Sequence, residues 1–110
     1  MTGYEDGRRV EWAVVHDLQE NGYETTRAAS SKGVADVIAF KTGQVLLVNV
    51  KRTTPPGPGE RRDLLRVAAM LPNHALAIVA LKPKGQPLSY RRLLSLAPHS
   101  WVAWAPDEVA

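Results

Sequence analysis

Apolar residues recur at helical intervals near the start of the chain. Val10, Val14, Val15 and Leu18 share one face, and Trp12 and Ala13 widen it. This 3.6-residue period predicts a helix over Tyr4 to Asn21, ended by Gly22. The period then shortens. Tyr23 to Ala28, with Thr25 and Thr26, is expected to be a short strand, and Ala29 to Gly33 a loop. Val34 to Phe40 and Gln44 to Val50 are two further apolar segments around a Lys41-Thr42-Gly43 turn, the pattern of an antiparallel hairpin. The nearly unbroken run from Val45 to Val50 predicts a central strand covered on both faces.

Thr53 to Gly59 holds three prolines and two glycines and is expected to be a loop. A second helix is expected over Glu60 to Leu71, with Leu64, Leu65, Val67, Ala68 and Leu71 on its apolar face and Pro72 as its stop. His74 to Leu81 should be a buried strand and Lys82 to Gln86 a turn. Pro87 to Leu94 is strand or irregular, and Ser100 to Ala103 is a weak last strand. The order predicts an α/β fold, a mixed sheet flanked by helices, in a single domain over residues 1–110.

Composition narrows the partners. Fourteen Lys and Arg against eleven Asp and Glu give a net charge of +3, which permits a nucleic-acid partner and equally suits a plain basic surface. The chain has no cysteine, so disulfides, thiolate chemistry and cysteine-based zinc sites are excluded. The polar start, MTGYEDGRR, is unlike a signal peptide, and the longest apolar run, Ala75 to Leu81, is far too short to cross a bilayer. A cytoplasmic protein with no membrane partner is expected.

The chemistry-bearing residues are Asp36, Asn49 and Lys51. Asp36 opens the second strand. Asn49 and Lys51 stand two apart at the end of the third, so they share a face. The hairpin brings the two strand ends together. Such a set suits phosphodiester hydrolysis: oxygen ligands hold a hard divalent cation, and a lysine steadies the developing negative charge.

These residues resemble the signature of the PD-(D/E)xK nucleases, an Asp opening one strand and an acid-x-Lys ending the next. Here the segments are Val34-Ala35-Asp36-Val37-Ile38-Ala39 and Leu46-Leu47-Val48-Asn49-Val50-Lys51. Upstream, Gly7 to Glu11, Gly22-Tyr23 and Arg27-Ala28-Ala29-Ser30-Ser31 resemble the archaeal-type Holliday-junction resolvases, in the same order over roughly the first 70 residues. The resemblance implies a restriction-endonuclease-like fold, cleavage of four-way DNA junctions, a homodimer, and Mg²⁺ with Mn²⁺ as a substitute. It makes Asp36 the main metal ligand, aided by Glu11, Asn49 and the backbone carbonyl of Val50. Lys51 becomes the catalytic lysine and Ser31 the loop serine. Arg27 and Arg52 become phosphate contacts, joined by Arg8, Arg9, Ser30, Lys32, Arg61 and Arg62.

The chain departs from the signature twice. Ala35 replaces the proline before the Asp, and Asn49 replaces the acid. An amide oxygen can ligate a hard cation but brings no charge. Three outcomes follow: weaker metal binding, compensation by Glu5, Asp6 or Glu11, or binding without cleavage. A nuclease for flaps, duplex DNA or RNA also fits the same motif. His16, His74 and His99 lack metal-ligand spacing. Arg61, Arg62, Arg66, Arg91 and Arg92 form either a solvated face or a phosphate-contacting one. Leu93, Leu94, Leu96, Trp101 and Trp104 are candidates for a dimer interface.

Overall fold

The computed structural model describes residues 3–27, 34–71 and 75–107, without the side chains of residues 3–7. In chain order its elements are helix α1 (Gly3–Glu20), strands β1 (Glu24–Arg27), β2 (Val37–Lys41) and β3 (Gln44–Lys51), helix α2 (Pro58–Met70), and strands β4 (Leu76–Leu81), β5 (Ser89–Leu93) and β6 (Trp101–Trp104). The six strands form one sheet in sequence order. All neighbours are antiparallel except β3 and β4, which run parallel and are joined through α2. A parallel pair needs a crossover, and α2 supplies it.

The local signals explain most of the elements. Gly22, at φ +90°, ends α1: its N–H donates to Gln19 O, and the N–H of Tyr23 donates to Leu18 O. This pair of bonds satisfies the last helical carbonyls. The β2–β3 hairpin turns through Thr42 and Gly43, with Gly43 at φ +80°.

The helices cover opposite faces of the sheet. Val14, Val15 and Leu18 of α1 pack with Val37, Ala39, Leu46, Val48, Ile78 and Ala80. Leu64 and Ala68 of α2 pack with Leu47, Ala77, Val79 and Leu81. β3 and β4 therefore bury both faces, as the unbroken apolar run of β3 predicts.

Several expectations need correction. Helix α2 begins at Pro58, not Glu60. Proline lacks only an N–H that the first turn leaves unbonded anyway, so the loop residues Pro58 and Gly59 can open a helix. Asp36 precedes β2 rather than opening it, and Val34 to Asp36 lie outside any strand. Segment Ser89–Leu93 is a strand. Leu93 and Trp104 lie in the two core clusters and cannot form an interface, whereas Leu94, Leu96 and Trp101 are exposed. His74 and Pro72 lie outside the described residues.

Candidate functional site

The β2–β3 register pairs Val37 with Val48, so one step further sets Asp36 opposite Asn49. Two hydrogen bonds hold this juxtaposition. The Asp36 N–H donates to Val48 O at 2.9 Å, and the Val50 N–H donates to Asp36 Oδ2 at 2.7 Å. The carboxylate thus accepts from β3 where a continuing β2 would offer a carbonyl. Directly opposed side chains have Cβ atoms about 4.5–5.5 Å apart, so Asp36 and Asn49 are neighbours.

Asn49 is 6% exposed, a polar residue among the apolar side chains of the core. Its side chain helps to hold the Glu60 carboxyl below its ordinary value, and its Oδ1 is buried with no hydrogen-bond partner. An orphaned buried acceptor costs about 1–3 kcal/mol; β3 holds a second orphan, Gln44 Nε2, at its opposite end beside the hairpin turn.

Lys51 lies on the same face of β3 as Asn49. Its Nζ is 2.7 Å from Glu60 Oε2, the two side chains being 30% and 47% exposed. Glu60 is the third residue of α2, which Gly57 caps. The hydrogen bond from Lys51 holds the Glu60 carboxyl below its ordinary value. The Lys51 charge, the Gly57 backbone and the Asn49 amide add to this, while burial opposes it. Glu60 was not a candidate from sequence: it was expected as the first residue of the second helix, and no spacing ties that residue to the end of β3.

Glu11 lies at the same end of the sheet. Its Oε1 accepts from Arg27 Nη2 at 3.0 Å and Nε at 3.2 Å, and the Arg27 guanidinium lies 4.9 Å from the centre of the Trp12 ring. Arg27 pairs with Val37 across β1 and β2, next to Asp36. Among the described residues, no three His, Cys, Asp or Glu side chains converge as a metal cluster. Glu11 is thus held by Arg27 rather than gathered with other carboxylates. Ser30, Ser31 and Lys32 lie outside the described residues.

The donors beside Asn49 are all oxygens: the Asp36 carboxylate, the orphaned Asn49 Oδ1 and the backbone of Val50. That set fits a hard divalent cation such as Mg²⁺ and lacks the nitrogen and sulfur ligands zinc prefers.

Two basic clefts flank this strand end. Arg9 and Arg52 line a cleft of about 550 Å³ together with Lys82 and Lys84. It opens beside the end of β3, because the Lys82 N–H donates to Lys51 O at 3.1 Å. Lys82 and Lys84 were missed from sequence, where they were only turn residues. Their signal is the parallel β3–β4 pairing, which sequence spacing does not contain. Arg61, Arg91 and Trp101 line a second cleft of about 380 Å³. There the Arg91 guanidinium lies 3.9 Å from the centre of the Trp101 ring, and Arg61 Nε is buried without a partner. Arg8 and Arg62 are exposed.

A family model described as archaeal Holliday junction resolvase (hjc) matches residues 2–96. In structure the chain is similar to Hjc of Archaeoglobus fulgidus, a Holliday junction resolvase from an archaeal hyperthermophile. The TM-score is 0.66 and the identity 24%, over 77% of this chain and 70% of that one. No curated protein matches the chain.

Proposed function

We propose that this chain, which belongs to the archaeal Holliday junction resolvase family, resolves four-way DNA junctions by paired nicking that depends on Mg²⁺, with Mn²⁺ as a substitute. The observation that carries this reading is the buried, unpartnered Asn49 Oδ1 opposite Asp36, at the strand end that also bears Lys51. Asp36, the Asn49 amide oxygen and the Val50 carbonyl would hold the cation. Bound there, a divalent cation polarises a phosphate and lowers the pKa of its water. Asp36 keeps its place because the Val50 N–H fixes Oδ2. Lys51 steadies the negative charge that develops on the phosphate, and its ammonium is restrained by Glu60. Ser31 and Glu11 complete the catalytic set by resemblance, Glu11 acting once Arg27 turns to phosphate.

Arg9 and Arg52, with Lys82 and Lys84, offer a basic cleft to the DNA backbone. Arg8, Arg27, Ser30, Lys32, Arg61 and Arg62 are further phosphate contacts. Binding through phosphates carries no sequence information and weakens with salt, which suits recognition of branched shape. A four-way junction has two scissile strands related by near two-fold symmetry, so a homodimer would present one site to each. The edge strand β6, with exposed Trp101 and Val102 and the neighbouring Leu94 and Leu96, supports such an interface. A monomer in sedimentation at micromolar concentration would contradict the dimer. A cytoplasmic place is consistent with the lack of any helix, among the described residues, long and apolar enough to cross a membrane.

The test is cleavage of a labelled four-way junction beside linear duplex of the same sequence, with Mg²⁺, Mn²⁺ or EDTA. Paired nicks on the junction, absent with EDTA, are expected. Equal cutting of duplex would mean another substrate. A second reading is favoured by Asn49 alone: the missing charge would leave a protein that binds junctions without cutting them. It predicts tight junction binding and no nicks in either metal.

A further inference from the structure

We infer that Glu60 is the second carboxylate of the cation site, supplying from helix α2 the charge that Asn49 does not carry on β3. This rests on the metal-dependent reading above. An all-oxygen cation site draws its affinity from the number of charged ligands. Asp36 alone is a weak anchor for a divalent ion, so a second acid has to come from elsewhere in the fold.

The three sources suggested by sequence do not supply it among the described residues. The side chains of Glu5 and Asp6 lie outside them, and Glu11 is bound to Arg27. Glu60 does reach the site. Glu60, the third residue of α2, falls at the end of β3: its Oε2 is 2.7 Å from Nζ of Lys51, which shares a face of β3 with Asn49 two residues away.

A glutamate at this helix position has a plain structural role, closing the first turn onto the backbone N–H of the cap. That role needs only Gly57. It does not require the 2.7 Å contact with Lys51. Nor does it account for the orphaned oxygen: Asn49 Oδ1 is buried and without a donor on the same face of β3 as Lys51, the residue that Glu60 holds. A cation between Asp36 and Asn49 would satisfy that oxygen. Glu60 is about half exposed and holds Lys51 through Oε2, so Oε1 can turn to the same ion or to a water on it.

The test uses Mn²⁺ binding to the whole chain, read by calorimetry, with the thermal midpoint of the metal-free protein measured alongside. Glu60→Gln should weaken Mn²⁺ binding about tenfold or more. Asn49→Asp should recover more affinity in the Glu60→Gln background than it adds to the wild type, because the two positions then share one task. Unchanged Mn²⁺ affinity in Glu60→Gln, with only a lowered thermal midpoint, would overturn the inference and leave Glu60 a helix cap. Equal gains from Asn49→Asp in both backgrounds would also overturn it. A measurement without substitution covers the case in which Glu60→Gln fails to fold. Substoichiometric Mn²⁺ should broaden the carboxylate carbon resonances of both Asp36 and Glu60 in the labelled wild type. Broadening of Asp36 alone would overturn the inference. Broadening of both, in a protein that cuts no junction, would support Glu60 as a ligand while removing the nuclease reading beneath it.

Discussion

Along β3 the side chains alternate between two environments that treat polarity differently. Towards α1, Leu46 and Val48 are fully buried among Val14, Leu18, Val37 and Ile78. The polar group brought into that layer, the Tyr90 hydroxyl, donates to Asp17 Oδ2 at 2.7 Å and fastens β5 to α1. Towards α2, Leu47 begins in the same apolar manner, but Asn49 and Lys51 follow. There a buried amide oxygen has no donor, Asp36 stands opposite it, and Glu60 of α2 holds Lys51 two residues along. The Tyr23 hydroxyl on the α1 side is also buried without a partner. It is a neutral phenol with the Lys41 ammonium 4.5 Å from its ring centre, and Gln44 Nε2, at the hairpin end of β3, is a further buried orphan. The α2 face differs in setting its orphaned oxygen opposite a carboxylate, where a ligand can complete it.

This contrast can be broken most forcefully on the α1 face. Leu46→Ala should cost about 2–5 kcal/mol in denaturant unfolding, a large share of a typical domain's stability of roughly 5–15 kcal/mol. Any surviving folded fraction should keep normal metal binding. A loss under 1 kcal/mol would show that the α1 face is not the tightly packed side.

The α2 face should behave in the reverse way. Asn49→Leu removes the orphaned oxygen and nearly keeps the volume, so stability should change by less than about 1 kcal/mol or even rise. Junction cleavage should fall about a hundredfold or more. A stability loss comparable to that of Leu46→Ala would mean Asn49 is a structural residue with a partner not recognised as such.

The smallest effect concerns pH. Burial, and then Asp17, push the Tyr90 phenol well above its ordinary value of 10.0. The unfolded chain therefore releases this proton before the folded one does. The contribution is full below about pH 10 and declines above it. Wild-type stability should fall more steeply above pH 10 than that of Tyr90→Phe, with cleavage at neutral pH unchanged in the variant. Parallel pH curves for the two proteins would show that the Tyr90 hydroxyl does not sense its surroundings.

The same contrast marks how far the sequence could be read. The hairpin follows from two apolar segments around the Lys41-Thr42-Gly43 turn, and it brings Asp36 to Asn49 and Lys51. Those contacts are local, so spacing contains them. Glu60 was expected in the second helix, but its contact with Lys51 depends on how α2 sits over the sheet, which the helical period does not specify. Lys82 and Lys84 were hidden because the β3–β4 pairing is parallel and reached through a crossover, so nothing nearby in sequence announces it. Leu93 and Trp104 were taken for interface because short strands such as SYRRL and WVAW do not reveal which face is covered. Glu11 and Arg27 were identified separately as candidates. Their mutual ion pair depends on how α1 sits against β1, which hydrophobic period does not specify.

The most direct test of the α2-face site is cleavage of a four-way junction by wild type and Asp36→Asn, with unfolding curves for both. Asparagine can still accept from the Val50 N–H, so the strand ends should stay in place and stability should be nearly unchanged. Paired nicking by wild type in Mg²⁺ that falls about a hundredfold or more in Asp36→Asn, with junction binding retained, is the predicted result. Cleavage that survives Asp36→Asn undiminished would contradict the account and move the chemistry away from the end of β3.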